Sequence, residues 1–462
     1  MLSAMLILSS CLKDNDDNTV SYPSDAAIIA FSLDNLKRYQ TTKAKNGSDS
    51  TYVTSVAGSG YKFYIDQINR QIYNPDSLPY GTDAKHVICS ITSKNSGVIT
   101  IKSLISDTLF YYNSSDSIDF SVPRTINVNS LDGSNRVSYT VTVNVHKEMP
   151  DSFLWHRTGS MEAFAQSKAM KAFPLNGRIY VFTGYEAEGA IYSCEESDNP
   201  EWQLELWNIN TPVPENICEN VAASDDKLYV NLSGDIYRSS DGSQWEQCGE
   251  MCPGRLFAAT GTSLFALLPN GIARSDDEGT TWTTDLTDEY ATLLPTAEIA
   301  CCQIPSKVND LVRNIILIGN RNASLYPYDT RAYVWNKVCD PDDVDDPWMY
   351  VSSDDTPYLQ LPRLSSLSVI ALGGSLIAAG GVGIGACDNA GFERFYQSDD
   401  GGIQWFNSEK YKLPANFASG NSFAMAADSH NRLWLICGDN GTVWRGRMSG
   451  DDGTQRQTSF TE

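Results

Sequence analysis

The sequence has 462 residues, with 34 Lys plus Arg against 57 Asp plus Glu and a formal net charge of -23. A surface of that sign repels phosphate backbones and argues against a nucleic acid partner, and the length exceeds what one core usually fills, so two domains are expected. The acidity reads either as attraction for calcium and other cations or, more simply, as a solvated surface on an exported protein.

Residues 1–10, MLSAMLILSS, form an apolar run that leads into Leu8-Ser9-Ser10-Cys11. This pattern resembles the lipobox of bacterial lipoproteins. The resemblance implies a signal peptide over 1–10, cleavage before Cys11 and lipidation of Cys11. No Lys or Arg precedes the apolar run and it is short for a signal peptide, which an upstream start codon would explain. The alternative is a chance apolar start with an ordinary cysteine. Residues 11–23 begin Leu12-Lys13-Asp14-Asn15-Asp16-Asp17-Asn18, too polar to bury a face, and are expected to be an acidic tether. They are similar to the export signal that sends Bacteroidetes lipoproteins to the cell surface. No other stretch reaches the roughly 18 apolar residues of a membrane span. The expected location is therefore the outer membrane, at the cell surface, with lipid as the sole anchor.

An all-β chain follows. Residues 24–147 read as a small β-sandwich: Val137, Tyr139, Val141, Val143 and Val145 alternate with polar residues over Arg136 to His146, giving one buried and one wet face. Further β-rich runs lie at Ala27 to Leu33, Tyr61 to Ile65, His86 to Thr92, Val98 to Ile105 and Thr125 to Asn129, with a hairpin signal at Leu131-Asp132-Gly133-Ser134. About seven short strands suggest an immunoglobulin-like fold. The opening Ile28-Ile29-Ala30-Phe31-Ser32-Leu33, the central Leu78-Pro79-Tyr80-Gly81-Thr82-Asp83 and the closing strand resemble the N-terminal modules of Bacteroidetes surface lipoproteins. His86 and His146 are expected on strands as ordinary polar residues, and Cys89 in the core.

After a boundary at Glu148-Met149-Pro150-Asp151, residues 152–450 repeat. Ser275-Asp276-Asp277-Glu278-Gly279-Thr280-Thr281-Trp282 returns as Ser398-Asp399-Asp400-Gly401-Gly402-Ile403-Gln404-Trp405, and one residue shorter as Ser239-Ser240-Asp241-Gly242-Ser243-Gln244-Trp245. Asp and Gly supply turn chemistry, and the Trp packs beneath the loop. The motif resembles the Asp-box of neuraminidase-type repeats, which implies a β-propeller. Trp155, Trp202, Trp245, Trp282, Trp335 and Trp405 are the candidate outer-strand tryptophans, at intervals of 47, 43, 37, 53 and 70 residues. The final unit has three strands and Phe153 to Arg157 supplies a fourth, so the ring is expected to close from both ends. Six blades fit, a seventh could sit in the longest gap, and the competing fold is an irregular solenoid. Residues 451–462 are a polar tail.

No catalytic, cofactor or metal residue is assigned. The sialidase resemblance stops at the turn, because Arg-Ile-Pro is absent and arginines are sparse. Asp340-Pro341-Asp342-Asp343-Val344-Asp345-Asp346 packs five carboxylates that could recruit calcium, but lacks an EF-hand's glycine and closing Glu and reads as a solvated loop. Ten cysteines beyond Cys11 are scattered at strand positions, without zinc spacing, and suit disulfides or small buried hydrophobes. Walker, GxSxG and HExxH patterns are absent, and Gly380 to Gly385 reads as a loop. The expectation is a non-catalytic propeller for a glycan or surface-protein ligand. The alternatives are a glycoside hydrolase and a structural component of an outer-membrane assembly.

Overall fold

Alternating apolar and polar residues force a chain to bury one face of each strand, and the N-terminal unit does this with two sheets and a hairpin. The structure is a computed structural model that describes residues 21–43, 49–150, 152–261, 263–306, 309, 311–340, 346–351, 359–420 and 422–449. Cys11, the expected signal peptide and the polar tail lie outside these residues, as do positions 341–345 of the acidic run. The chain divides after Pro150 into two units.

In the first unit Ile28–Leu33 pairs antiparallel with Cys89–Ser93. A six-stranded sheet runs in the order Tyr64–Asp66, Gln71–Tyr73, Arg136–Thr142, Arg124–Asn129, Val98–Lys102, Leu109–Tyr111. Only Gln71–Tyr73 against Arg136–Thr142 is parallel. Ile28, Phe31, Leu33, Cys89 and Ile91 from the small sheet share one core with Ile72, Ile126, Val128, Tyr139 and Val141 from the large one. The Tyr139 hydroxyl donates to Gln67 Oε1 at 2.6 Å and so satisfies the polar end of a buried ring.

Two expectations need correction in this unit. His86 and His146 lie outside strands: His86 Nδ1 sits 2.9 Å from Asp83 Oδ2 in an exposed bend, and the His146 amide donates to the Leu78 carbonyl. A hairpin of Asn35–Lys43 and Asp49–Ala57 was not anticipated. Leu36 is the one fully buried side chain described in it, so it carries no apolar periodicity to read.

In the second unit the described residues form six four-stranded antiparallel sheets. Each successive first strand packs beside the next in the series Val221–Ala223, Arg255–Thr260, Ala297–Pro305, Ser368–Leu372, Phe423–Ala427 and Ala169–Leu175, and the short turn Ile217–Glu219 touches both Ala169–Leu175 and Arg255–Thr260. These first strands are the inner ones. Most were not anticipated, because the recurrent motif marks only the turn between the third and fourth strands. The sixth sheet is completed by Phe153–Ser160, which pairs antiparallel with Thr442–Met448 from Phe153 opposite Met448 to Ser160 opposite Thr442.

The recurrent turns join third to fourth strands with one bonding scheme. Ser398 Oγ donates to Asp400 Oδ1 at 2.8 Å and accepts from the Gly402 amide at 2.9 Å, and the Trp405 indole donates to the Gly402 carbonyl. The same bonds recur at Ser275, Asp277, Gly279 and Trp282, and at Ser239, Asp241, Gly242 and Trp245. Each turn also rests on the preceding sheet. The Tyr180 hydroxyl donates to the Asp241 carbonyl, Glu278 accepts from Lys227, Tyr229 and Arg238, and Asn336 Nδ2 donates to the Gly401 carbonyl. The turn is therefore a latch between neighbouring sheets as well as a hairpin.

Trp335 is not an outer-strand residue. It lies in the third strand Tyr333–Cys339, fully buried, and Trp348 opens the outer strand Met349–Tyr350 in its place. Trp348 has no turn glycine to bond. Its indole donates instead to Asp285 Oδ2 of the preceding sheet at 2.9 Å, where Lys337 Nζ holds Oδ1 at 3.2 Å.

Candidate functional site in the central channel

The six inner strands enclose a cavity of about 1070 Å3. Because first and second strands are joined at the end that carries the recurrent turns, the inner strands begin at the opposite end. Lys171, third residue of its strand, Arg255, first of its own, and Glu298, second of its own, all lie toward that beginning, as does Glu219 just before Val221.

Lys171 stands alone between Met170 and Ala172. Its Nζ donates one long hydrogen bond, 3.4 Å, to the Val221 carbonyl, and it lies over the Phe173 ring at 5.7 Å. Among the described residues no carboxylate lies within ion-pair distance of it. Burial pushes its ammonium below the ordinary lysine range, against smaller opposing effects of Cys301 and Cys218. Arg255 donates from Nη1 to the Thr296 carbonyl at 3.0 Å and pairs with Glu219 at 3.4 Å, while its buried Nε finds no partner among the described residues.

Glu298 occupies a left-handed backbone position, φ 50°, where the inner strand slips register against its neighbour. Burial raises its carboxyl above the usual range, although amides of Leu367 and Ser366 oppose the shift. Gln303 spans to the carbonyls of Ala223 and Ala259. The thiols of Cys218 and Cys301 are pushed up to about 12 by burial, and burial also raises that of Cys302 well above the ordinary thiol range. They stay protonated at neutral pH and are poor nucleophiles.

At the other end, Glu196, Asp428 and His430 come close enough to hold a metal ion. Asp428 is already committed, however. Its Oδ1 accepts from the amides of His430 and Arg432 and its Oδ2 from the Trp434 indole, while Ser429 holds Glu196. The cluster braces a hairpin. All ten described cysteines are free thiols, Cys248 and Cys252 included. Asp340 directly follows the third strand of its sheet, Tyr333–Cys339, and the Asp346 carbonyl accepts from Lys337. Gly380 to Gly385 does lie in a loop.

None of the channel residues was singled out from sequence. The available signal was a lone charge inside an apolar inner strand, as in Met170-Lys171-Ala172 and Ala297-Glu298-Ile299, and it becomes legible only once that strand is recognised.

Residues 149–450 match the DUF6242 beta propeller domain, and residues 31–143 match the DUF6242 N-terminal domain, a domain of unknown function. The chain belongs to the DUF6242 family. No curated protein matches this DUF6242 chain. Among solved structures, a structural genomics protein of unknown function from Bacteroides thetaiotaomicron aligns with a TM-score of 0.41 at 11% identity, over 78% of this chain and 93% of that one. A Trichoderma reesei carbohydrate-active enzyme of family AA12 aligns with a TM-score of 0.40 at 9% identity, over 65% and 96%. PorZ, a surface component of the type-IX secretion system of Porphyromonas gingivalis, aligns with a TM-score of 0.34 at 12% identity, over 85% and 52%.

Proposed function

We propose that this DUF6242 chain is a cell-surface lipoprotein, anchored through Cys11, whose immunoglobulin-like module precedes a six-bladed propeller latched by Asp-box turns, and that the propeller channel binds a glycan without cleaving it. One observation carries the non-catalytic reading. Among the described residues, all five carboxylates that line the channel are held by protein donors: Glu219 by Arg255, Asp225 by Arg313, Glu298 by two amides, Asp428 by amides and an indole, and Glu196 by Ser429. Glycoside hydrolysis needs a pair of carboxyl groups free to face one bond, about 5–5.5 Å apart for retention and 6.5–9.5 Å for inversion. A cavity of this volume is ample for a sugar of a few rings. Tyr290 and Tyr328 stand exposed on loops at the end where the inner strands begin, and flat faces of this kind stack on sugars.

A glycan array probed with soluble protein beginning at Ser24, with products read by mass spectrometry, tests this. Retention without cleavage is expected. Turnover that disappears in Glu298→Gln would replace the binding reading with a hydrolase. Silence across the array would move the search to protein ligands by cross-linking on intact cells.

A further inference from the structure

Lys171 and Arg255 face one channel end toward which two carboxyl groups also lie: Glu219, already engaged with Arg255, and Glu298, held by two amides. Among the described residues neither forms an ion pair with Lys171, whose ammonium is left without a carboxylate partner. In a chain of net charge -23, such a residue inside a cavity is conspicuous, since many acidic side chains were available to neutralise it. An uncompensated ammonium in a desolvated wall is costly to keep unless a ligand completes it. The neighbouring groups agree. Arg255 Nε is a buried donor without a partner, and the buried Gln303 Oε1 is an acceptor without one, further along the same channel. The wall thus offers donors for an anion and an acceptor suited to a hydroxyl.

We infer that Lys171, with Arg255, binds a carboxylate of the channel ligand, which makes that ligand an acidic sugar or another small hydroxy-carboxylate. This rests on the channel being the binding site, and narrows what it takes. The cation is supplied by the first inner strand, Ala169–Leu175, and the guanidinium by the third, Arg255–Thr260, so the site exists only when the ring brings these together.

The site has a proton signature. The groups that face Lys171 are Cys218 and Glu219 from the turn before Val221, Arg255 from its inner strand, Cys301 from the next, and Phe173 on its own strand. The two thiols are neutral at any working pH. The free ammonium is held low by burial, and a carboxylate beside it raises its pKa again. Binding therefore takes up a proton at any pH between the free and bound values, and affinity falls as pH rises through that window.

The test is calorimetry on the soluble chain from Ser24 with three probes: trigalacturonate, the neutral galactose trisaccharide, and free galacturonate. Expected are binding of at least one carboxylate probe, heats that vary with buffer ionisation enthalpy in the sense of proton uptake, at least tenfold weakening in Lys171→Met and recovery in Lys171→Arg. Circular dichroism and melting confirm that the variants fold. Trigalacturonate alone binding assigns a glycan-borne carboxylate, whereas free galacturonate binding equally well assigns the small acid. Neutral trisaccharide binding that Lys171→Met leaves intact would overturn the carboxylate inference while the glycan reading stands. Carboxylate binding unaffected by Lys171→Met, or no binding by either carboxylate probe, also overturns it.

Discussion

Side chains that break the repeat are the ones most exposed to single substitutions. Trp348 takes the place of a motif tryptophan but bonds Asp285 in the preceding sheet, and Asp285 and Lys337 are both buried. Trp348→Phe should keep most of the packing and remove one donor from a buried carboxylate, lowering stability by about 1–3 kcal/mol in denaturant melts. Lys337→Met should cost more, about 3–5 kcal/mol, because Asp285 would then be a buried charge without its cation. Equal losses in the two variants would contradict this account. Glu298 behaves in the opposite sense. Its carboxyl titrates above the ordinary value in the folded protein, so the folded state holds its proton longer than the unfolded chain does, and stability drains away as pH rises from the unfolded value of about 4.5 through the folded one. Glu298→Gln should therefore raise the melting temperature at pH 7, with the gain vanishing below pH 4.

The turn is the element that was most legible from sequence, because its chemistry is local. Ser, Asp, Gly and Trp at fixed spacing satisfy one another within eight residues, and the structure repeats those bonds at Ser239, Ser275 and Ser398. What the motif could not reveal is its reach into the next sheet. A methyl on Gly242, already at φ 71°, would come within 2.4 Å of the Tyr180 ring, so Gly242→Ala should destabilise the protein more than Gly133→Ala, which has a similar φ but open space around it. Matching chemical melts of the two would decide it. Ser398→Ala, which strands the Gly402 amide at a buried position, should cost about 1–3 kcal/mol. Most of the inner strands, by contrast, stayed unread; Phe423–Ala427 is the exception. They are short apolar runs without turn signals of their own, and two such runs differ little from any other core segment. The channel residues they carry were hidden with them. The misassigned Trp335 has the same origin: spacing alone cannot distinguish a third strand from a fourth when the segment between them has neither the Ser nor the Gly of the motif.

At the scale of the whole propeller unit, stability depends on one seam. Five sheets are built from consecutive strands, but the sixth joins Phe153–Ser160 to strands that follow Phe423. Without that pairing, Thr442–Met448 would be an open edge, and the first and last sheets would be held together only by side-chain packing. Leu154 and Arg447 are opposed across the seam. Antiparallel partners lie about 4.5–5.5 Å apart at Cα, within the range a disulfide spans. Leu154→Cys combined with Arg447→Cys should therefore crosslink on mild oxidation, while the buried native thiols, pushed to about 11–12, react slowly. Such a bond closes a loop that includes nearly the entire unit, and the chain-entropy gain is at most on the order of 5 kcal/mol. The oxidised form should melt well above its reduced form, and the single variants should show no redox-dependent shift. Failure of the pair to oxidise would place the two strands elsewhere and undo the closure. Oxidation with a large shift would support the closure, because a crosslink between residues already paired in the folded unit stabilises by restricting the unfolded chain, in which Leu154 and Arg447 are otherwise far apart.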